Sequence, residues 1–438
     1  MDQTFLKETL KELIEDFYET PLPELTPRKI NIPEYPRNAT VITGMRRTGK
    51  TFLSYQRIRS LLDAGIPKDR ILYLNFEDDR ILGLTVKDFR FIPDVYFQMY
   101  PDNRDETCYF FFDEIQNIPD WESFVRRLVD TGKIQVYLTG SSAKMLTTEI
   151  ATAMRGRSAE TEVFPFSFEE FLLHHKYFEG IPRNIGSAVR TKIQHGLDQY
   201  FQIGGFPEVQ NRSDGEWLQT LQGYVNAAIY RDVIERHKVQ NSQALKYILQ
   251  VLFNSPAMNI SIHAISGVLT NMKITSDREY IAQYLDYLCE AYLVYRVRLH
   301  TDSLAKRRTN PDKYYLVDVG MVRAMTAKHS ADRGHLLENM IFIHLRRLGY
   351  SLEYVLTKEK MEVDFLAFHK VRRDYRLIQV SYDISKAETF ERETNALAAA
   401  GKEMHIKDRL IITWDEEREL DNGIRIVPAW KFLLNRCE

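Results

Sequence analysis

Short apolar runs recur through the first 170 residues and are the clearest feature of the chain's pattern. β-Branched and aromatic side chains fill these runs, and polar or glycine-containing segments follow them. Runs of this length and composition predict buried strands. The five predicted strands cover residues 40–43, 71–74, 108–112, 134–138 and 161–164.

Helical periodicity marks several segments around these strands. A helix is predicted over residues 52–62, and residues 197–238 are also helical in pattern. A proline-rich stretch, residues 21–36, precedes the first strand. The start of the chain predicts an amphipathic helix whose apolar face carries Leu6, Leu10, Leu13 and Phe17.

The second half of the chain has two further patterns. Residues 241–320 predict three helices and then two strands, which is the order of a winged helix. The first two helices cover 244–253 and 262–269, and the third starts with a capping box at Ser276. The strands cover 293–300 and 314–317. The last hundred residues predict helix, three strands, helix and strand, with the first helix at 334–349 and strands at 361–365, 376–380 and 407–413.

Length and charge change this picture only slightly. A chain of 438 residues predicts about three domains. With 59 Lys and Arg against 61 Asp and Glu, the net charge is −2, so any contact with nucleic acid has to come from local basic patches. The three cysteines fit a reducing cytoplasm, no apolar run approaches the ~20 residues of a membrane span, and the acidic N-terminus is unlike a signal peptide. We therefore expect a cytoplasmic protein without membrane contact.

Residues 44–51 read Gly-Met-Arg-Arg-Thr-Gly-Lys-Thr and form a phosphate-binding loop pattern between a predicted strand and a predicted helix. In such a loop the backbone N–H groups surround phosphates, the lysine reaches the β- and γ-phosphates, and the hydroxyl after it holds Mg²⁺. This predicts ATP and Mg²⁺ as ligands. The residues expected at the nucleotide are Gly44, Arg46, Arg47, Thr48, Gly49, Lys50, Thr51 and Phe52.

Three later segments predict the rest of a hydrolytic site. Asp113 and Glu114 follow the third strand. Asp113 would bind Mg²⁺, and Glu114 would polarise the attacking water. The alternative is that the two acidic residues cap the next helix. Ser141 lies at the tip of the fourth strand, within reach of the γ-phosphate. Arg155 and Arg157 precede the fifth strand, where an arginine can reach a neighbouring subunit's nucleotide or simply lie on the surface.

Taken together, these segments resemble a prokaryotic AAA+ ATPase family whose members carry a long C-terminal region once catalogued as of unknown function. The resemblance rests on Gly-x-Arg-Arg-x-Gly-Lys-Thr, Asp-Glu-Ile-Gln, Leu-Thr-Gly-Ser-Ser, Arg-Gly-Arg and the run at 165–171, in that order. It implies an α/β fold with a five-stranded parallel sheet, Arg157 as an arginine finger, and a helical lid in which residues 204–207 resemble the Gly-x-Pro motif of signal-transducing relatives.

Basic residues near the predicted wing suggest phosphate contacts. Arg298, Lys306, Arg307 and Arg308 would touch DNA without reading sequence, because the third helix is too acidic to read bases. The alternative is a winged helix that is purely structural or binds protein.

The order of elements in the last hundred residues resembles the restriction-endonuclease-like fold. The resemblance implies Glu338, Asp364 and Gln379 as the residues of a Mg²⁺ site. The lysine that assists the attacking water in that fold falls on Ser381 here, so we expect a poor nuclease or none, unless Lys386 supplies the missing charge.

The sequence thus predicts five regions and one leading function. The leading function is that of a Mg²⁺-dependent ATPase that couples ATP turnover to DNA binding or remodelling. The protein is expected to be a homo-oligomer, such as a hexamer. A nucleotide-operated switch that binds a protein partner and an ATP-gated nuclease are the alternatives. The regions are an N-terminal helix and linker, an AAA+ core, a helical lid, a winged helix and a restriction-endonuclease-like domain, over residues 1–38, 39–180, 181–240, 241–325 and 326–438.

Overall fold

Five parallel strands form the first sheet of the protein, in the order β2-β3-β4-β1-β5. The computed structural model describes residues 2–141, 154, 156–274, 277–326 and 333–436, which form two compact units, Met1–Val163 and Phe164–Glu438. The predicted parallel sheet is confirmed. Its strands are β1 Ala39–Thr43, β2 Ile71–Asn75, β3 Cys108–Asp113, β4 Ile134–Thr139 and β5 Ser158–Glu162.

The strand β5 starts three residues earlier than predicted. Its residues are mostly polar, and it lies at the edge of the sheet, where it pairs only with β1. An edge strand needs less apolar surface than a central one, so its pattern does not stand out in the sequence. The apolar residues that suggested the strand, Val163 and Phe164, are buried just beyond its end.

Helices pack on this sheet and complete the core of the first unit. They are α1 Gln3–Glu19, α2 Lys50–Asp63, α3 Phe91–Met99 and α4 Trp121–Asp130. The predicted face of α1 is buried at Leu6, Leu10 and Leu13, which join the core shared with the strands. The N-terminal region therefore packs as part of the first unit.

The second unit begins with helices α5 Phe168–His174, α6 Ser187–Ile203 and α7 Asp214–Ala227, followed by a π-helical segment, Ala228–Glu235. The glycine segment after α6 is held from within this unit, because the Gly205 N–H donates to Asp318 Oδ2 at 2.7 Å. A Cβ at Gly204 would lie 2.0 Å from Asp318 Oδ1, and Gly204 has φ +81, so no larger residue fits there without a shift.

Three helices and a small antiparallel sheet follow. The helices are α8 Ser242–Asn254, α9 Ile262–Asn271 and α10 Arg278–Glu290, and the strands β6 Met258–Ile260, β7 Val294–Val297 and β8 Asp312–Leu316 pair in the order β6-β8-β7. The elements predicted here are present, but the connection between the two predicted strands, which carries residues 306–308, contains a short helix, α11 Leu304–Thr309. The Ser303 hydroxyl caps that helix by accepting the Lys306 N–H at 3.3 Å. The predicted cap residue Ser276 lies outside the described residues.

A six-stranded mixed sheet organises the end of the chain. Its order is β13-β14-β12-β11-β10-β9, with antiparallel pairing from β9 to β11 and parallel pairing from β11 through β12 to β14. No helix among the described residues has the length and apolar character that crossing a membrane requires. The elements are α12 Val319–Met325, α13 Arg333–Arg347, β9 Tyr350–Leu356, β10 Glu362–His369, β11 Asp374–Val380, α14 Ala387–Met404, β12 Arg409–Thr413, β13 Arg418–Glu419, β14 Ile424–Pro428 and α15 Ala429–Leu433.

Candidate functional site

The loop between β1 and α2 has the backbone that phosphate binding requires. Gly44 has φ +135, and a Cβ there would lie 2.3 Å from the Val163 carbonyl oxygen. Gly49, directly before α2, has φ +98. Both positions are in a region of backbone space that favours glycine. The Thr48 hydroxyl donates to the Met45 carbonyl at 2.9 Å and closes the loop on itself.

Lys50 and Thr51 start α2 at the end of this loop. The Lys50 ammonium is 4% exposed and donates to the carbonyls of Gly44 at 3.2 Å and Met45 at 3.1 Å. The Thr51 hydroxyl donates to Asp113 Oδ2 at 2.7 Å. The structure therefore brings together the two residues predicted to hold Mg²⁺, and a hydroxyl with a carboxylate is an oxygen set that Mg²⁺ accepts.

Asp113 ends β3 in a setting of hydroxyl groups. Its Oδ2 also accepts from the Tyr73 hydroxyl at 2.8 Å, and its Oδ1 accepts from the Thr139 hydroxyl. Burial raises the pKa of Asp113, and the neighbouring Glu114 raises it further, while these hydrogen bonds act in the opposite direction. Its three hydroxyl partners carry no charge, so none of them competes with a cation for the carboxylate.

Glu114 follows in the left-handed backbone region, with φ +52. Its N–H donates to the Thr139 hydroxyl at 3.0 Å, and its carboxylate accepts from the Gln116 side chain. One carboxylate oxygen lies 3.9 Å from the Lys50 ammonium. The predicted water-activating residue and the predicted phosphate-binding lysine thus share one pocket.

Sequence reasoning missed three of these partners: Tyr73, Gln116 and Thr139. The sequence predicts Ser141 as the hydroxyl at the tip of β4, whereas it is Thr139 that contacts Asp113 and the Glu114 N–H at the end of β3. Ser141 is buried, and its hydroxyl has no hydrogen-bond partner within the described part of the chain. Choosing Thr139 requires knowing that β4 pairs with β3 and ends at Thr139, which the sequence pattern alone does not show.

The remaining predicted nucleotide contacts lie around the loop. Arg46 pairs with Glu77 at 3.3 Å, Arg47 is exposed with φ +68, and the Phe52 ring is 47% exposed on α2. Arg157 is half exposed and pairs with Asp130 of α4. Arg155 lies outside the described residues.

A second cluster of charged groups lies in the other unit. Glu338 of α13, Asp364 of β10 and Gln379 of β11 come together, as predicted from the sequence. The structure adds a residue that the sequence did not suggest, Lys313 of β8. Its ammonium lies 3.1 Å from Glu338 Oε1, 3.2 Å from Asp364 Oδ1 and 2.7 Å from an oxygen of Glu362.

Burial and charge act against each other in this cluster. The Lys313 side chain is 3% exposed, yet the surrounding acidic groups hold its pKa well above its usual value despite its burial. Burial, and then Glu338, raise the pKa of Asp364 to about 7. Burial also disfavours the charged form of Glu338, but Lys313, His335 and Tyr315 together lower its pKa.

A cavity of about 800 Å³ opens beside this cluster. Glu338, Asp364, Gln379 and Ser381 line it, whereas Lys313 lies behind the carboxylates and does not. Lys386 is exposed at the N-cap of α14. Among the described residues, no group of three or more His, Cys, Asp or Glu side chains is arranged to hold a metal ion. The role predicted for Glu338, Asp364 and Gln379 stays a prediction.

The predicted DNA contacts differ in their surroundings. Arg298 and Lys306 are exposed. Arg307 is half-buried and donates to Glu353 of β9 at 3.2 Å and to the Thr301 carbonyl at 3.2 Å. The side chain of Arg308 is outside the described part of the structure. An arginine already bound to a carboxylate is a weaker candidate for a phosphate contact than an exposed one.

Comparison with known proteins gives two matching family models. The AAA domain model matches residues 36–172, and a domain of unknown function (DUF8612) matches residues 194–332. The chain is similar to Uncharacterized protein MJ1544 of Methanocaldococcus jannaschii, with 34% identity over 421 residues that cover 93% of this chain and 90% of the relative. It is also similar to an uncharacterized protein of Haemophilus influenzae, with 32% identity over 401 residues, 90% of this chain and 94% of the relative.

Solved structures resemble this chain only loosely. The Orc1 protein of Aeropyrum pernix, solved in complex with DNA, has 11% identity and a TM-score of 0.27, covering 74% of this chain and 92% of that one. Cdc6p from Pyrobaculum aerophilum has 13% identity and a TM-score of 0.26, covering 74% and 94%. Likeness at this level supports no conclusion about activity.

Proposed function

We propose, from the premise that this chain belongs to the family of AAA+ P-loop ATPases that includes Uncharacterized protein MJ1544, that it is a Mg²⁺-dependent ATP hydrolase. The observation that carries the proposal is the pocket in which Thr51 is hydrogen-bonded to Asp113 and Lys50 faces Glu114. These four side chains come from the start of α2 and from the end of β3, where P-loop proteins bind nucleotides.

Each of the four side chains has a separate task in hydrolysis. Thr51 and Asp113 would hold Mg²⁺, which when bound neutralises charge on the phosphate oxygens. The Lys50 ammonium would leave the loop carbonyls for the β- and γ-phosphates. Glu114 would accept a proton from the water that attacks the γ-phosphorus, so that ADP leaves with the bridging oxygen. Gln116 restrains the Glu114 carboxylate and so sets its direction.

Two substitutions test this pocket. Lys50→Ala should abolish ATP binding, because the loop loses its cation. Glu114→Gln should keep ATP binding and lose hydrolysis, since only the activation of water is removed. Binding is measured by calorimetry and turnover by phosphate release. Hydrolysis at the parental rate in the glutamine variant would show that Glu114 is not the activating residue.

We further propose that the active form is a homo-oligomer in which Arg157 reaches a neighbour's nucleotide. The support is its position beside the edge strand β5 and its half-exposed guanidinium. Arg157→Ala should lower turnover without changing the affinity of an isolated subunit for ATP, whereas Asp130→Ala, which only frees the arginine, should not lower it. A monomer with full ATPase activity would contradict the shared site.

We also propose that the protein couples ATP turnover to DNA binding. The support is the two exposed basic residues near β7 and α11, Arg298 and Lys306. Arg298→Ala and Lys306→Ala should each reduce the salt dependence of DNA binding by about one counterion. Arg307→Ala should have less effect, because Arg307 is bound to Glu353. Lys192→Ala, on the exposed surface of α6, serves as a control for the loss of a lysine elsewhere. Slow turnover that DNA does not change would instead favour the nucleotide-operated switch.

A further inference from the structure

A buried arginine from the proline-rich segment contacts the phosphate-binding loop. Arg28 lies outside residues 39–180, which the sequence assigns to the ATPase core, and its residue exposure is only 6%. Its guanidinium Nη1 donates to the Thr48 carbonyl oxygen at 3.0 Å. Burying a guanidinium is costly unless it is hydrogen-bonded, so a buried arginine at this place has a definite structural task.

The backbone of Arg28 is fixed as firmly as its side chain. Its N–H donates to Gln56 Oε1 at 2.7 Å, and its carbonyl accepts from Gln56 Nε2 at 3.0 Å. Gln56 is on α2, the helix that starts at the loop. Ile30 and Ile32, just after Arg28, pack on the apolar cluster of Ile42, Leu53 and Val163. The segment is therefore held against the nucleotide pocket at several points.

The contact with Thr48 determines the direction of the next N–H group. In a trans peptide the carbonyl and the following N–H point in opposite directions, so a donor that holds the Thr48 carbonyl outward turns the Gly49 N–H inward. Gly49 has φ +98 and no side chain, so little else prevents this peptide from rotating. Inward N–H groups are what bind phosphate in such a loop.

We propose that Arg28 is a positioning residue of the nucleotide site, which holds the Thr48–Gly49 peptide with its N–H toward the phosphate chain of ATP. The inference rests on the proposed ATPase function and deepens it, because it places part of the phosphate-binding apparatus in the N-terminal segment. Arg28 acts through the loop and does not itself touch the nucleotide.

The test compares two arginines that both hold the N-terminal segment. Arg59 donates to the Pro23 carbonyl at 2.9 Å and, among the described residues, makes no hydrogen bond or ion pair with the loop, so Arg59→Gln loosens the segment alone. The affinities of ATP and of inorganic tripolyphosphate, used as a competitor, are measured for the parent protein, Arg28→Gln, Arg28→Lys and Arg59→Gln. Thermal unfolding without ligand checks that each variant is folded.

We expect Arg28→Gln to weaken ATP and tripolyphosphate to the same extent, by roughly 10-fold, since the loss lies at the phosphates. Arg28→Lys keeps a charged donor and should recover part of that loss, and it tests the proposal even if the glutamine variant does not fold. Arg59→Gln should change neither affinity by more than about twofold.

Three results would decide against us in different ways. Parental affinity in both Arg28 variants, with ATP binding abolished in Lys50→Ala, would overturn the role of Arg28 and leave the ATPase proposal intact. Equal losses in Arg28→Gln and Arg59→Gln would also overturn it, because anchoring of the segment would then explain both. Failure of the parent protein to bind ATP would instead remove the proposed function on which the inference rests.

Discussion

Asp113 and Asp364 are both buried carboxylates beside a sheet, and burial raises the pKa of each, but their partners differ. Asp113 is held by the hydroxyls of Thr51, Tyr73 and Thr139, which leave its charge uncompensated. Asp364 is held by the Lys313 ammonium and the Val380 N–H. Burial alone therefore does not distinguish the two carboxylates. What distinguishes them is the charge of their partners: Asp113 has neutral partners and can accept a metal cation, whereas Asp364 is already paired with the Lys313 ammonium.

The two sites also differ in what a lost partner would leave behind. Removing one hydroxyl from Asp113 leaves two others. Removing Lys313 would leave three acidic groups, Glu338, Glu362 and Asp364, close together without the ammonium that contacts all of them. A buried pair need not stabilise a fold relative to apolar residues, but breaking it from one side is strongly destabilising. We therefore expect that losing a partner of Asp113 mainly changes the ATPase activity, whereas losing Lys313 beside Asp364 mainly lowers the stability of the fold.

The largest effect is expected from Lys313→Met. It should lower the free energy of unfolding by about 3–5 kcal/mol, because it removes the ammonium that contacts all three carboxylates. Lys306→Met, an exposed lysine of the neighbouring helix, should change it by less than about 0.5 kcal/mol. Urea unfolding measures both. Equal stability of the two variants would remove the contrast between the sites.

The second expectation concerns DNA cleavage at the Asp364 site. If Lys313 compensates the cluster from behind and Ser381 supplies no charge at the cavity, cleavage should be absent or about 10²–10³ slower than with a positioned cation. Linear and branched DNA are incubated with Mg²⁺ or Mn²⁺, with and without ATP. Cleavage that disappears in Asp364→Ala would show that this site also takes a metal, and its loss in Lys386→Ala would identify the source of charge.

The pH dependence of stability gives a third, smaller test. The pKa of Asp364 is raised to about 7 from 3.8, so the folded protein holds this proton more tightly than the unfolded chain. Its contribution to stability therefore falls as pH rises from about 4 to 7 and is constant above that range, with a slope of at most about 1.4 kcal/mol per pH unit. Asp364→Asn removes this dependence on pH. The free energy of unfolding of the variant should therefore increase relative to that of the parent as the pH rises from about 4 to 7. A constant difference would contradict the assignment.

The smallest effect is expected from Tyr73→Phe. This change removes one neutral donor from Asp113, which typically costs about 0.5–1.5 kcal/mol. The Mg²⁺ concentration for half-maximal ATPase activity should rise by roughly 2- to 10-fold, because the carboxylate is less firmly oriented. Tyr109→Phe, on the adjacent strand β3, is the matched control. A loss as large as that of Glu114→Gln would mean that Tyr73 has a direct role in hydrolysis.

The residues of the candidate nucleotide pocket could be grouped from the sequence because they lie close together in it, and their roles stay a prediction. Lys50 and Thr51 are in one loop pattern, and Asp113 and Glu114 directly follow an apolar run. Thr139 was missed in favour of Ser141, because choosing between them requires the position where β4 ends beside β3. Tyr73 and Arg28 lack any local pattern, and only the packing of the fold places Tyr73 beside Asp113 and Arg28 against the loop.

The second unit was predictable in its elements but less so in its chemistry. The helix and strands that carry Glu338, Asp364 and Gln379 were located from periodicity. Lys313 lies 25 residues from Glu338 and 51 from Asp364, on a strand assigned to a different domain, and no spacing rule joins them. The sequence therefore points for the missing cation to Ser381 and Lys386, which lie near the predicted site in the chain.

The shared ammonium of Lys313 also restricts the order in which this cluster can change during evolution. A lineage that first replaces the lysine passes through a protein with several uncompensated acids, whereas one that first replaces an acid keeps a compensated lysine at every step. Homologues should therefore lose Glu338 or Glu362 before the residue at 313, or lose them together. Where an alignment shows a neutral residue at 313 beside intact acids, that homologue must carry another cation in the same place.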